Sequence, residues 1–316
     1  MAYVEMSGEK PTTLSASDDS ISPLQIMQWL QPGKPSLVHH SSRTPEAERL
    51  RESINRYSGF RIEKGDGWWC APLTTSTKVV REHNIRRGRG RVVKQLCREL
   101  PQRAWVLDWA GGTGWLASML LKRRPDLVTV SVDISDVLQE WGRANYAEPI
   151  VYVSGDATSR HIFAPALFDA IVGAECVEHF PNLPAAIDAA HYWLRPRGKL
   201  VVTTPNPGFW SPAEPPETIR RWLGRPRSTE YEERGDIYDK SIPSSVLAET
   251  MRKVGFRDVL AEYTQFGGEW PLRGICNYFG ERPAQLAART AELFERVAPR
   301  SFGRKLGFTQ IFWCKK

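Results

Sequence analysis

The stretch Val106-Leu107-Asp108-Trp109-Ala110-Gly111-Gly112-Thr113-Gly114-Trp115-Leu116-Ala117 runs from an apolar segment through an acid and three glycines into an amphipathic pattern that continues over Met119, Leu120 and Leu121. That order predicts a strand, a tight loop and a helix. Glycine lets backbone approach a ligand closely and adopt conformations a side chain forbids. The helix start that follows offers N–H groups with no partner inside the helix. Such a loop is a nucleotide site in an open α/β sheet, where ligands lie beyond the carboxyl ends of the strands.

The nucleotide is less simply read. Gly112-Thr113-Gly114-Trp115-Leu116-Ala117 satisfies the dinucleotide fingerprint G-x-G-x-x-G/A, and Asp133 follows Gly114 by 19 residues, near the interval for a ribose-binding acid. On that basis a nicotinamide-dependent oxidoreductase is one alternative. Asp108 argues against it, because a carboxylate ahead of the loop repels a diphosphate. An acid there suits a ligand carrying positive charge, such as the ammonium and sulfonium of S-adenosylmethionine.

In this frame, D-x-A-G-G-T-G, the chain resembles the class I S-adenosylmethionine-dependent methyltransferases, with Ala110 where their first glycine is usual. The resemblance covers about residues 105 to 206. Phe168-Asp169-Ala170-Ile171-Val172 leading to Glu178-His179 is similar to a block of many small-molecule methyltransferases. Leu194-Arg195-Pro196-Arg197-Gly198, followed by Lys199 to Thr204 and Pro205-Asn206, is similar to the family's next strand, with Arg197 replacing a turn glycine. The resemblance implies a doubly wound, seven-stranded, mostly parallel sheet whose last strand, Gly307 to Cys314, is antiparallel.

It also implies site residues. Asp108, Gly111, Gly112 and Gly114 would contact the cofactor, as would Asp133 and Ile134 after the second strand, Asp156 and Ala157 after the third, and Glu175 after the fourth. His179 and Glu178 are the catalytic candidates, the imidazole as a base for a hydroxyl acceptor near neutral pH. The bland readings are that Asp156 is an ordinary turn aspartate and His179 a structural histidine. Glu175, Glu178 and His179 stand at i, i+3 and i+4, one helical face if the helix has begun. The pattern resembles the metal motif of ubiquinone-pathway O-methyltransferases and of small-RNA 2′-O-methyltransferases, so a divalent metal and an RNA acceptor form a second alternative. The preferred expectation is O-methylation of a small or medium-sized acceptor without metal.

Outside this block, residues 1–20 lack apolar periodicity and read as a flexible tail. Residues 21–100 read as an N-terminal helical cap segment, with helices at Ile21 to Leu30, from Thr44-Pro45 towards Ile54, and at Val92 to Leu100. Residues 101–316 form the methyltransferase domain, with insertions at about 207–243 and 267–304 leaving the ligand side of the sheet. Aromatics in these segments, among them Trp68, Trp69, Trp210, Trp270, Tyr278 and Phe279, could line an acceptor.

The 316 residues, 41% of them apolar, suffice for one α/β core with insertions. A net charge of +7, from 43 basic and 36 acidic residues, is a mild excess that a solvated surface accounts for, and nucleic acid is not the expected partner despite the run Arg86 to Arg91. Five scattered cysteines, Cys70, Cys97, Cys176, Cys276 and Cys314, include no C-x-x-C pair and suit a reducing compartment. No signal-like segment or apolar run of membrane-spanning length is seen. The expected setting is cytoplasmic, with a small-molecule acceptor and no membrane partner.

Overall fold

The computed structural model describes residues 14–16, 20–30, 35–40, 44–64, 88–208, 242–266, 275–297 and 300–316. Its strands are β1 (Leu14–Ala16), β2 (Ser36–His40), β3 (Trp105–Trp109), β4 (Val128–Asp133), β5 (Val151–Ser154), β6 (Phe168–Ala174), β7 (Leu194–Pro205), β8 (Arg257–Phe266) and β9 (Gly307–Lys315). Its helices are α1 (Pro23–Trp29), α2 (Pro45–Lys64), α3 (Arg89–Glu99), α4 (Trp115–Leu121), α5 (Asp136–Asn145), α6 (Leu183–Trp193), α7 (Ser244–Val254), α8 (Glu281–Val297) and α9 (Arg300–Leu306).

The strands form one sheet in the order β1-β2-β5-β4-β3-β6-β7-β9-β8. The inner neighbours pair in parallel, and β9 pairs antiparallel with both β7 and β8. The seven-stranded expectation therefore holds from β5 to β8. Two further parallel strands extend the sheet beyond β5, with Leu37 opposite Tyr152 and Val38 opposite Val153. Both lie where the sequence reads as tail and helical segment. A three-residue strand and a five-residue one with two adjacent histidines are too short to show a period of two.

Alternation along the central strands explains the two-sided core. On β3, Val106 packs with Leu96, Leu116 and Leu120 from α3 and α4, while Leu107 and Trp109 pack with Ile187 and Ala190 of α6 and Met251 of α7. Burial on both faces is what a parallel sheet requires. Local signals set the helix ends. Ser22 accepts the Gln25 N–H while the Gln25 side chain accepts from Ser22, so α1 begins with a capping box and Pro23 in its first turn. Gly255 ends α7 at φ +119°.

The expected turn at Arg195-Pro196-Arg197-Gly198 lies inside β7 as an irregularity, where the register against β6 shifts between Phe168 and Ala170. Arg197 there has φ +66°. Trp68 and Trp69, Cys70 and the insertion from 209 to 241 lie outside the described residues. Among the described residues, no helix is long and apolar enough to cross a membrane.

Candidate functional site

Beyond the carboxyl ends of β3, β4, β5 and β6 lies a cavity of about 700 Å³, within the size range of small-molecule sites. Each of these parallel strands delivers one acid to it or to the loop that follows: Asp108 on β3, Asp133 on β4, Asp156 after β5 and Glu175 after β6. Gly111, Gly112, Ile134, Ala157, Glu178 and His179 also line it. Among the cofactor-contact and catalytic residues named from sequence, Gly114 alone does not.

The glycine loop is held from below by two of these acids. Asp133 Oδ2 accepts the Gly112 N–H at 2.7 Å and Oδ1 accepts the Ser135 N–H at 2.8 Å. Asp108 Oδ2 accepts the Ala117 N–H of α4 at 3.0 Å. The Gly111 N–H goes to Val132 and the Gly114 N–H to Gly111. The three glycine N–H groups are therefore already spent inside the protein, and the cradle of donors that a diphosphate needs is absent from them.

Close contact explains two of the glycines. A Cβ on Gly111 would stand 2.5 Å from Ser131 Oγ and 2.6 Å from Asp108 Cγ. Gly114 has φ +73°, and its Cβ would meet the Tyr152 ring at 2.7 Å. Gly114 thus shapes the loop from behind, its place taken on the cavity side by Thr113 and Trp115.

Burial dominates the charge state of the two lower acids. Asp108, 2% exposed, has its carboxyl pushed up to about 7 by desolvation, with the Ala117 hydrogen bond and the Arg89 charge pulling it down. Desolvation also raises Asp133, opposed by the Ser135 and Gly112 N–H bonds. A cation entering the cavity would reverse these shifts, since an opposite charge favours the carboxylate. Asp156 Oδ1 accepts from the Thr158 N–H at 2.9 Å and the Thr158 hydroxyl at 2.7 Å, so the turn role and a place on the cavity wall coincide.

The opposite wall is the segment after β6. Glu175 has φ +55° and closes the strand, its Oε1 accepting from Thr203 Oγ1 at 2.8 Å. A short 3₁₀ turn, Val177–His179, then carries Glu178 inward to Thr204 Oγ1 at 2.9 Å, leaving it 3% exposed. The shared helical face expected for Glu175, Glu178 and His179 does not form, because the left-handed residue intervenes and both carboxylates bond to threonines of β7. Among the described residues, no group of three His, Cys, Asp or Glu side chains is placed to hold a metal ion.

The sequence leads to a helix from Thr44-Pro45 towards Ile54 in a cap segment, but singles out none of the residues that form the roof. Ala47, Leu50, Ile54 and Tyr57 of α2 line the cavity at helical spacing, with Glu46 and Ser58 beside them. Two tethers fix this helix. Arg51 Nη1 donates to Asp136 Oδ2 at 2.6 Å, and Asn55 Oδ1 accepts from Ser135 Oγ at 2.7 Å. The spacing signal was present, but nothing local says what a helical stripe packs against. Arg89, Trp115 and Asn182 also line the cavity, and Trp109 behind it donates to the Ala157 carbonyl at 2.6 Å and meets the Phe180 ring at 4.9 Å. Tyr278 and Phe279, expected near the acceptor, are instead 85% and 73% exposed and off the cavity lining.

A family model described as a methyltransferase domain matches residues 81–261. A ubiquinone/menaquinone biosynthesis C-methyltransferase of Dinoroseobacter shibae is 32% identical over 113 residues, 33% of this chain and 45% of that protein. Its counterpart from Paracoccus denitrificans is 31% identical over 102 residues, 31% and 40% of the two chains. The match thus spans less than half the length of these curated relatives. Among solved structures, an S-adenosylmethionine-dependent methyltransferase of Archaeoglobus fulgidus is 19% identical with a TM-score of 0.46, covering 74% of this chain and 97% of that one. Phosphoethanolamine N-methyltransferase 2 of Haemonchus contortus, in complex with S-adenosylmethionine, is 18% identical with a TM-score of 0.47, covering 71% and 51%. The family match excludes the nicotinamide alternative that the glycine loop alone allowed. The chain belongs to the methyltransferase-domain family, the class I S-adenosylmethionine-dependent methyltransferases.

Proposed function

We propose that the chain methylates a small acceptor in the cavity between α2 and the carboxyl ends of β3 to β6. The observation that carries this reading is the convergence of Asp108, Asp133 and Asp156 on one cavity of about 700 Å³ that His179 also lines. The residues suit the methyl donor. Each Asp133 oxygen accepts one backbone N–H and keeps a lone pair for a ribose hydroxyl. Asp156 faces the place of an adenine amino group, and Asp108 offers a carboxylate, once ionised, to the cationic end. S-adenosylmethionine bound there supplies an electrophilic methyl group.

The chain's own task is then to align the acceptor and exclude water, the largest lever in a displacement that needs little covalent help. The roof of α2, tied through Arg51 and Asn55, serves the exclusion. His179 takes a proton from an acceptor hydroxyl, and Glu178, tied to Thr204, holds the 3₁₀ turn that presents it. Within residues 21–100, helix α2 acts as the cap of the catalytic domain, while β2 and α3 belong to the sheet and its face.

A hydroxyl on an unsaturated ring, once deprotonated, is nucleophilic at oxygen and at the adjacent carbon. The base therefore serves both O-methylation, the expectation from sequence, and C-methylation, the activity in the names of the two curated relatives. We place carbon first on the strength of those relatives. Incubation with methyl-labelled donor and hydroxylated ring acceptors, followed by NMR of the product, distinguishes the two: a carbon-bound methyl is expected, an oxygen-bound one reverses the order. His179→Ala should lower kcat by about 10²–10⁴ while leaving donor affinity unchanged, the range of general-base effects. Lost donor affinity in that variant would make His179 a scaffold residue.

A further inference from the structure

Helix α8, packed at the β8 edge and outside the cavity lining, has its amphipathic character inverted. Against the sheet it places small residues and one anchored acid: Ala284 is fully buried, and Glu295 accepts from Thr264 Oγ1 at 2.9 Å and the Gln265 N–H at 3.0 Å. Outward it places Leu286, Leu293 and Val297, which are 67%, 62% and 79% exposed. These stand at i, i+7 and i+11, one continuous stripe on a helix of 3.6 residues per turn. Tyr278 and Phe279, just before the helix in the chain, and Phe302, just after it, are exposed as well.

The charges are sorted as well. Arg282, Arg289 and Arg296 recur every seven residues along one flank of the stripe, all exposed, and Arg304 and Lys305 of α9 are exposed beyond them. One acid, Glu292, shares that flank, and the other two are held elsewhere. Glu292 pairs with Arg296 at 2.8 Å, Glu295 lies against the sheet, and Glu281 accepts from Gln285 at 2.7 Å. An apolar stripe beside a basic row, with aromatics at its ends, is the pattern of a helix lying in a membrane interface.

We propose that α8 with its flanking aromatics docks on an anionic phospholipid surface, the helix lying in the headgroup plane. The charge complementarity selects this occupant: Arg282 and Arg289, with Arg304 and Lys305, meet anionic headgroups while the apolar stripe enters the boundary beneath them. The sequence shows no spanning segment, but surface attachment needs only buried apolar side chains and attraction to acidic lipid.

Sedimentation of the full chain with vesicles of phosphatidylcholine and phosphatidylglycerol in equal parts tests this. Binding is expected to these vesicles, to weaken with added salt, and to be absent with phosphatidylcholine alone. The double change L286E and L293E should lower partitioning by at least about tenfold, and R282Q, R289Q and R296Q together by roughly a hundredfold. All five positions are exposed, so unchanged thermal melting and unchanged S-adenosylmethionine binding verify fold and site in each variant. Absence of binding to the mixed vesicles, or binding indifferent to both variants, overturns the proposal. So does a dimer by light scattering that L286E and L293E dissociate without any vesicle binding, since a second copy then covers the stripe.

Discussion

At the scale of single residues, Asp108 is the most informative. Its position ahead of the glycines was readable, but its buried state was not, because it depends on strand β4 and helix α4 being brought beside it, Ser131 as its strand partner and Ala117 as its donor. The folded chain holds this carboxyl at about 7, above its ordinary 3.8, so the fold favours the protonated acid. The associated stability is complete below about 3.8 and lost as pH rises through about 7. Thermal melts of the ligand-free protein should show this decline, and Asp108→Asn, which still accepts from Ala117, should flatten it. Donor binding has the opposite dependence, since a cation favours the ionised acid. The Kd for S-adenosylmethionine should fall about tenfold between pH 6 and pH 8 in the native chain. An equally steep dependence in Asp108→Asn would assign the effect to another group. Gly114 is read differently from structure than from sequence: it faces Tyr152 rather than the cavity. Gly114→Ala should cost about 2–5 kcal/mol in denaturant unfolding, from left-handed strain and the ring contact together.

At the scale of elements, the segments from β3 to β7 were legible because each is a short apolar run closed by a turn residue or an acid. Strand β4 is read to the residue, Val128 to Asp133. The metal alternative required helical spacing across Glu175, whose left-handed backbone ends the strand first. Position 197 shows the converse: the family glycine that Arg197 replaces was noted, and the structure supplies the cause at φ +66°. Arg197 is exposed, so Arg197→Gly should be neutral to about 1 kcal/mol stabilising, read by chemical unfolding. A loss above that would mean the side chain has a contact at the β7 irregularity. For α2, removing the Asn55 carbonyl strips a bond to Ser135 at the start of α5. Asn55→Ala should cost about 1 kcal/mol of stability and loosen donor binding several-fold, with calorimetry as the readout. Unchanged affinity would mean that α2 covers only the acceptor side.

At the scale of the whole molecule, the sequence reads well where contacts are local and poorly where they are not. The antiparallel end of the sheet followed from family resemblance and is present as β8 and β9. The added strands β1 and β2 and the outward stripe of α8 depend on which distant surface each segment meets, and no periodicity encodes that. The same long-range packing makes the site selective. Asp133 and Asp108, from adjacent strands, occupy Gly112 and Ala117 N–H groups that sequence alone leaves open to a diphosphate. Calorimetric titration of one protein preparation with S-adenosylmethionine and, separately, with NAD⁺ tests this most directly. Saturable one-to-one heat with S-adenosylmethionine and none with NAD⁺ is the expected result. Binding of NAD⁺ that S-adenosylmethionine displaces, or no binding of S-adenosylmethionine at all, would contradict it.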